Sequence, residues 1–221
     1  MSKHDELYIL RSIVRRWNAW DALENGDLQD ELALEGVTQL SYDQDHVERL
    51  RGMTLPPSLR SLSFGNGFNE SLDGLTLPEG LQRLSFGDHF DQALRNHLPD
   101  SLVELTLGGS FNQRLDKVHW PKQLRHLTFA WDFNQSLQEV ELPKGLLSLT
   151  FGYSFDQSLV GVSFPAQLRH LTFGFCFNHP LEGVVLPVAL ASLALGHDFN
   201  QSLEHALLPD KLQSLTFGAL A

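Results

Sequence analysis

Apolar and polar positions alternate in short bursts along most of this chain, and the bursts return at a fixed interval. The strings L-x-x-L-x-F at 59–64 and L-x-x-L-x-L at 72–77 form one pair. The pair returns at 124–129 with 137–142, and at 168–173 with 181–186. In "SLTF" (148–151), Leu149 and Phe151 face one side and Thr150 the other, as in a half-buried strand. Gly or Pro ends each burst, and the gaps are too short for a helix of about 10 residues. The first segment of each pair is predicted as a strand. The second fits a strand, a bridge or an irregular turn.

The interval is 22 residues. Pro56, Pro78, Pro99, Pro121, Pro143, Pro165, Pro187 and Pro209 keep this step, except for one step of 21 where "ALRNHLP" is a residue shorter than "SLDGLTLP". The unit is close to L-P-x-x-L-x-x-L-x-F-G-x-x-F-N-Q-S-L-x-x-V-x. A weaker copy precedes it, because "VTQLSYD" (37–43) aligns with "LRSLSFG" (59–65) at the same step. Such periodicity predicts a mainly β, right-handed, flattened repeat solenoid, with short parallel strands stacked between 22-residue coils. At about 4.8 Å per coil, eight or nine coils make a rod of roughly 40 Å.

Residues 4–23 differ. Leu7, Leu10, Ile13, Val14 and Trp17 follow helical spacing, with Arg11, Arg15 and Arg16 on another face. An amphipathic helix covering the first coil is predicted, in preference to a membrane-surface or partner-binding helix. Residues 1–33 are expected to form this N-terminal α-helical cap and 34–221 the solenoid. Within the solenoid, 34–55 is a degenerate first repeat and 56–221 holds the regular ones.

The unit resembles the FNIP repeat, a 22-residue relative of the leucine-rich repeat. The matching residues are the "LP" start, L-x-x-L-x-F, Gly, and the segment F-N/D-Q-S-L, seen as "FNESL" (68–72), "FNQRL" (111–115), "FDQSL" (155–159) and "FNQSL" (199–203). The resemblance spans about 56–218 and implies a leucine-rich-repeat-like interaction scaffold. Members often follow an F-box, but the first 50 residues here do not resemble one, so a ubiquitin-linked role is not implied. Ala130 stands in place of Gly and Pro180 in place of Ser, and the Ile-Pro of the family's name is Leu-Pro or Phe-Pro.

Stacked coils turn repeated positions into columns. Phe68, Phe90, Phe111, Phe133, Phe155, Phe177 and Phe199 predict an aromatic spine. Asn69, Asp91, Asn112, Asn134, Asp156, Asn178 and Asn200 predict a ladder of inward side chains bonding the bend within a coil and to the next. The Gln and Ser that follow are expected to finish the turn at the surface. Asp91 and Asp156 as an acid–base pair lie three coils apart, about 14 Å by strand spacing, too far for glycosidase chemistry. The outward column Ser63, Ser85, Thr106, Thr128, Thr150, Thr172, Ala194 and Thr216 suggests an ice-binding lattice. Its neighbours Arg83, Glu104, His126 and His170 spoil the flatness such a lattice needs.

Variable columns are where a partner would be chosen. One reads Asn66, Asp88, Gly109, Trp131, Tyr153, Phe175 and His197. Its three consecutive aromatics, Trp131, Tyr153 and Phe175, with His126 and His170 on the same coils, are the expected partner-binding residues. The competing expectation is that these rings fold over the turn and pack locally.

Composition narrows the classes. Lys plus Arg is 16 and Asp plus Glu is 27 in 221 residues, a net charge of −11. That balance disfavours nucleic acid and anionic membrane, and no apolar run is long enough for a membrane span. The single cysteine, Cys176, permits no intrachain disulfide and fits a reducing, intracellular, cytoplasmic setting. His126 and His170 are about 9.6 Å apart by strand spacing, too far to share one zinc. No catalytic, metal or cofactor motif is present. The expectation is a non-enzymatic protein-binding scaffold with no cofactor. Two alternatives are a structural solenoid that self-associates end to end through an open last coil ending in "LTFGALA", and a carbohydrate- or ice-binding β-solenoid.

Overall fold

The computed structural model describes residues 36–42, 55–95 and 98–218. Nine strands form one parallel sheet in chain order. They are β1 (Gln39–Tyr42), β2 (Ser61–Phe64), β3 (Arg83–Ser85), β4 (Glu104–Leu107), β5 (His126–Phe129), β6 (Ser148–Thr150), β7 (His170–Thr172), β8 (Ser192–Leu195) and β9 (Ser214–Phe217). The chain is a parallel β-solenoid with one strand per coil. The predicted helix at 4–23, and with it the cap over 1–33, lies outside the described residues.

Register follows the repeat. Leu40 pairs with Leu62, and Leu62 with Leu84. The coil that is one residue short keeps step, because Leu84 pairs with Leu105. Its missing residue falls in the connection after β3, outside the hydrogen-bonded ladder. The weak first copy pairs as its alignment implied, with Tyr42 opposite Phe64.

Strand alternation sorts the side chains. In β5, Leu127 and Phe129 are buried, whereas His126 is exposed and Thr128 half-buried. The second apolar segment of each coil is not a strand among the described residues. Its Leu72–Leu75 stretch closes a turn by a 3.0 Å bond from the Leu75 N–H to the Leu72 carbonyl, and the same bond recurs to Ala206 with Leu203. An isolated antiparallel bridge there joins Glu182 and Ala206. The proline that follows each segment explains the difference, since it has no N–H to continue a ladder. Its carbonyl instead begins the next turn, as Pro56 does in accepting the Leu59 N–H at 3.0 Å.

Two aromatic columns fill the core. Where the strand ends in Phe, the motif Phe of the same coil lies face to face with it, whereas Phe111 and Phe199 follow strands that end in Leu107 and Leu195. Ring centroids are 4.0 Å apart for Phe129–Phe133, Phe151–Phe155 and Phe173–Phe177. Between coils the rings stay stacked, 6.1 Å apart for Phe133–Phe155 and 5.5 Å for Phe151–Phe173. Each pair adds about 0.5–1.5 kcal/mol beyond the area it buries.

Outside the Phe columns runs the ladder. Oδ1 of Asn69 accepts the Asp91 N–H at 2.9 Å, and Oδ1 of Asp91 accepts the Asn112 N–H at 2.9 Å. The series continues through Asn112, Asn134, Asp156 and Asn178 to the Asn200 N–H. These bonds run from coil to coil, and the side chains are half-buried or exposed rather than inward. Only the acceptor oxygen is needed toward the next coil, so Asn and Asp both serve. Each Asp has Asn above and below it, which keeps carboxylates off adjacent coils, where like charges repel. The Gln of the motif belongs to the ladder too. Gln157 Nε2 donates to Asn134 Oδ1 at 2.9 Å, and Gln201 Nε2 to Asn178 Oδ1 at 3.0 Å. The Ser ends the turn as expected, with Ser136 Oγ accepting the Gln138 N–H at 3.2 Å.

Two stability tests follow. Asn134→Ala leaves the half-buried Asp156 N–H without its acceptor and is expected to cost about 1–3 kcal/mol in urea denaturation. Asp156→Asn keeps the acceptor and should stay within about 0.5 kcal/mol. Equal losses in the two variants would show that the acceptor oxygen is not what the ladder uses. The second test concerns the Leu-to-Val turn, whose third residue has φ of +83° at Gly161 and +73° at Gly183, and +63° at Glu139. A Cβ on Gly161 meets nothing within 4 Å, so Gly161→Ala isolates backbone strain and should cost about 1–2 kcal/mol. Glu139→Gly should recover up to about 1 kcal/mol in the same measurement.

Candidate interaction surface

The coils approach most closely just after each strand. A Cβ on Gly174 would lie 1.7 Å from the Gly152 carbonyl oxygen, and one on Gly196 would lie 1.9 Å from that of Gly174. Glycine at this point lets the backbones pass in contact. The following residue is the variable column, and its carbonyl is bonded across coils. The Ser154 N–H donates to the Trp131 carbonyl at 2.8 Å, Cys176 to Tyr153 at 2.9 Å, and Asp198 to Phe175 at 2.9 Å. Backbones held at this spacing leave flat side chains little choice but to stack.

They do stack. Ring centroids are 5.9 Å apart for Trp131–Tyr153, 4.9 Å for Tyr153–Phe175 and 4.3 Å for Phe175–His197, with interplanar angles of 25°, 16° and 11°. Trp131 is 62% and Tyr153 40% exposed. Phe175 is half-buried and His197 exposed. The rings therefore pack on each other and still present their outer edges to solvent. His197 extends the row. It was legible in the sequence as a column member, but the stacking was not, because nothing in a His codon position distinguishes a stacked ring from a solvated one. Its Nδ1 lies 3.0 Å from Asp198 Oδ1.

His126 and His170 open β5 and β7, with Ser148 between them across the sheet. Both are exposed. They stand at the strand end opposite the aromatic row, about 10 Å away along the strand. The structure does not gather them into the row. Beside His126, Arg125 turns aside to donate from its guanidinium to the Gly145 carbonyl at 2.7 Å.

Among the described residues, no group of three or more His, Cys, Asp or Glu could hold a metal ion, and no helix is long and apolar enough to cross a membrane. Asp91 and Asp156 serve as separate rungs of the ladder. Cys176, next to Phe175, is a free, half-buried thiol. Burial pushes its pKa up, and the Asp198 and Asp156 carboxylates push it further. It is therefore protonated at neutral pH and a poor nucleophile. Alkylation by iodoacetamide should rise with pH through a midpoint above that of an ordinary thiol, and Asp198→Asn should lower that midpoint. A midpoint at or below the ordinary value would contradict this environment.

The FNIP Repeat family model matches residues 68–110, 90–132, 111–154, 133–176 and 177–219. Among solved structures, the chain is similar to CroV588, described as a novel circular LRR protein, with 35% identity and a TM-score of 0.69. The match covers 82% of this chain and 30% of that one, so the chain spans under a third of that protein's length. No curated protein matches.

Proposed function

The chain belongs to the FNIP repeat family, and we propose that it is a non-enzymatic scaffold that binds a protein partner through the row Trp131, Tyr153 and Phe175. The repeat-solenoid fold is suited to a scaffold or interaction role. The observation that carries the site is the row itself, three aromatics stacked on consecutive coils with Trp131 62% exposed. Large aromatics are the usual anchors of protein interfaces. These are ordered before binding, so little rotamer entropy is lost on association. His126 and His170 supply polar contacts at the far end of the same strands. An intracellular setting agrees with the free Cys176 thiol.

Stacking also bears on the alternatives. A sugar-binding platform presents ring faces side by side, whereas here the faces cover each other and edges point outward. The Ser/Thr column is half-buried over β2 to β7 and alternates with exposed Arg83, Glu104, His126 and His170, which favours a protein partner over ice.

The deciding measurement is quantitative capture from cell extract by the immobilised chain and by Trp131→Ala plus Phe175→Ala. The double variant should melt like the wild type and lose its partner at least about tenfold, as expected for two anchor residues. Unchanged capture by the folded variant would remove the row as the binding site.

A further inference from the structure

The coil that is one residue short borders a cavity. After β3 the chain runs through Ala93, Leu94 and Arg95, and one coil further on it runs from Gln113 to Val118. These two stretches line a surface cavity of about 370 Å³, within the range of roughly 300–1,000 Å³ usual for small-ligand sites. Ala93 leaves room there. It is the smallest side chain in a column that otherwise reads Ser71, Arg114, Ser136, Ser158, Pro180 and Ser202.

Three lining side chains are cations, Arg95, Arg114 and Lys117, and one, Asp116, is acidic. The surplus runs against a chain with 16 Lys and Arg to 27 Asp and Glu. Other cations of the same two coils are matched outside the cavity. Arg83 pairs with Glu104 at 3.5 Å, and Lys122 pairs with Asp100. Arg114 Nε donates to Asp116 Oδ1 at 3.2 Å, which leaves the two terminal nitrogens of its guanidinium to donate elsewhere. Arg95 and Lys117 are exposed, and their side chains make no ion pair or hydrogen bond among the described residues. Cations around one concavity repel each other, and a single carboxylate offsets only part of that repulsion.

We propose that this cavity binds a phosphate monoester in its dianionic form. The dianion matches the surplus of positive charge. Each guanidinium offers a planar fork for two phosphate oxygens, and Lys117 supplies a point charge. Ala93 and Val118 give the ester carbon an apolar wall. A carboxylate brings one charge and two oxygens, so it satisfies fewer of these donors. Three cations suffice for one phosphate, whereas a nucleic-acid backbone needs a longer track of them. The net charge of −11 acts from further away and is screened beyond about 8 Å at physiological ionic strength. The contacting cations therefore decide. The aromatic row takes no part in this site, which stands or falls independently of it.

The test is NMR titration of the full chain at one ionic strength and about pH 7.5, where a phosphate ester is a dianion. The backbone amides of Gln113 to Val118 are the reporters. The probes are acetyl-Gly-phosphoserine-Gly-amide, glycerol phosphate, and the serine and glutamate forms of the peptide. Both esters should shift these amides saturably and bind about 3-fold tighter than the glutamate peptide, and the serine peptide should not bind. Arg95→Gln plus Lys117→Gln should weaken both esters about 5- to 10-fold, the effect of losing two exposed ion pairs. Both side chains are exposed and without described partners, so this variant keeps the fold. Unchanged affinity in the variant, no saturable shift with either ester, or equal binding of the glutamate peptide would overturn the site. The two esters also identify the source. Tighter binding of the phosphopeptide assigns the phosphate to a protein side chain, and equal binding assigns it to a small phosphorylated molecule; either result keeps the site.

Discussion

Everything in this molecule depends on holding one coil a single strand spacing above the last. Parallel ladder bonds do this along the sheet, where Leu127 sits over Leu105 and under Leu149. Away from the sheet, the Asn/Asp oxygens do it at the bend, each accepting a backbone N–H from the coil above. With both sides of the coil fixed at the same rise, no coil can tilt against its neighbour. Every position in the repeat then lies above its own equivalent, and side-chain chemistry becomes chemistry of columns.

The same constraint produces opposite outcomes on the two sides of the small residue, Gly or Ala130, that follows the strand. Before it, the strand-end Phe joins the motif Phe in a double buried stack, with Phe151 and Phe155 4.0 Å apart. After it, Trp131, Tyr153 and Phe175 stack at a similar repeat but with their edges in water. In the core, stacking adds to burial already achieved by the solenoid. At the surface it removes only the ring faces from water. The remaining edges keep apolar area that a partner can still cover, which is the energetic reason the outer row and not the inner one suits binding.

Periodicity made the frame legible. The Phe spine, the Asn/Asp column, the parallel sheet and the paired first copy at Tyr42 were all readable, because each rests on a position that repeats at one step. What escaped was whatever depends on direction or on bond choice. The second segment left strand, bridge and irregular turn open, because its Leu and Val spacing does not show that Pro143 and its equivalents remove the donor that a ladder needs. Gln157 looked like a surface residue, yet its amide is the second donor to Asn134. A column of side chains near a bend gives no sign of which atoms point up the stack. His197 was visible as a column member without its stacking on Phe175. The helical pattern at 4–23 falls outside the described residues.

Separation of frame from specificity follows from where the ladder draws its bonds. At the variable column the cross-coil hydrogen bonds use main-chain atoms, as between Ser154 and Trp131 or Cys176 and Tyr153. Apart from Asn66, whose Oδ1 accepts the Asp88 N–H at 3.4 Å, the side chains described there carry none of the load. Asn66, Asp88, Gly109, Trp131, Tyr153, Phe175 and His197 can therefore follow one another in equivalent backbone settings without disturbing register. The neighbouring columns lack this freedom. In the preceding column a Cβ on Gly152, Gly174 or Gly196 meets a carbonyl oxygen, with nothing larger than Ala130 beside them, and the motif Asn or Asp must keep its acceptor. A solenoid built this way can change its partner by altering one column while its stability stays with the others. Recognition then depends on the order of residues up the column, where a run of rings gives an apolar strip.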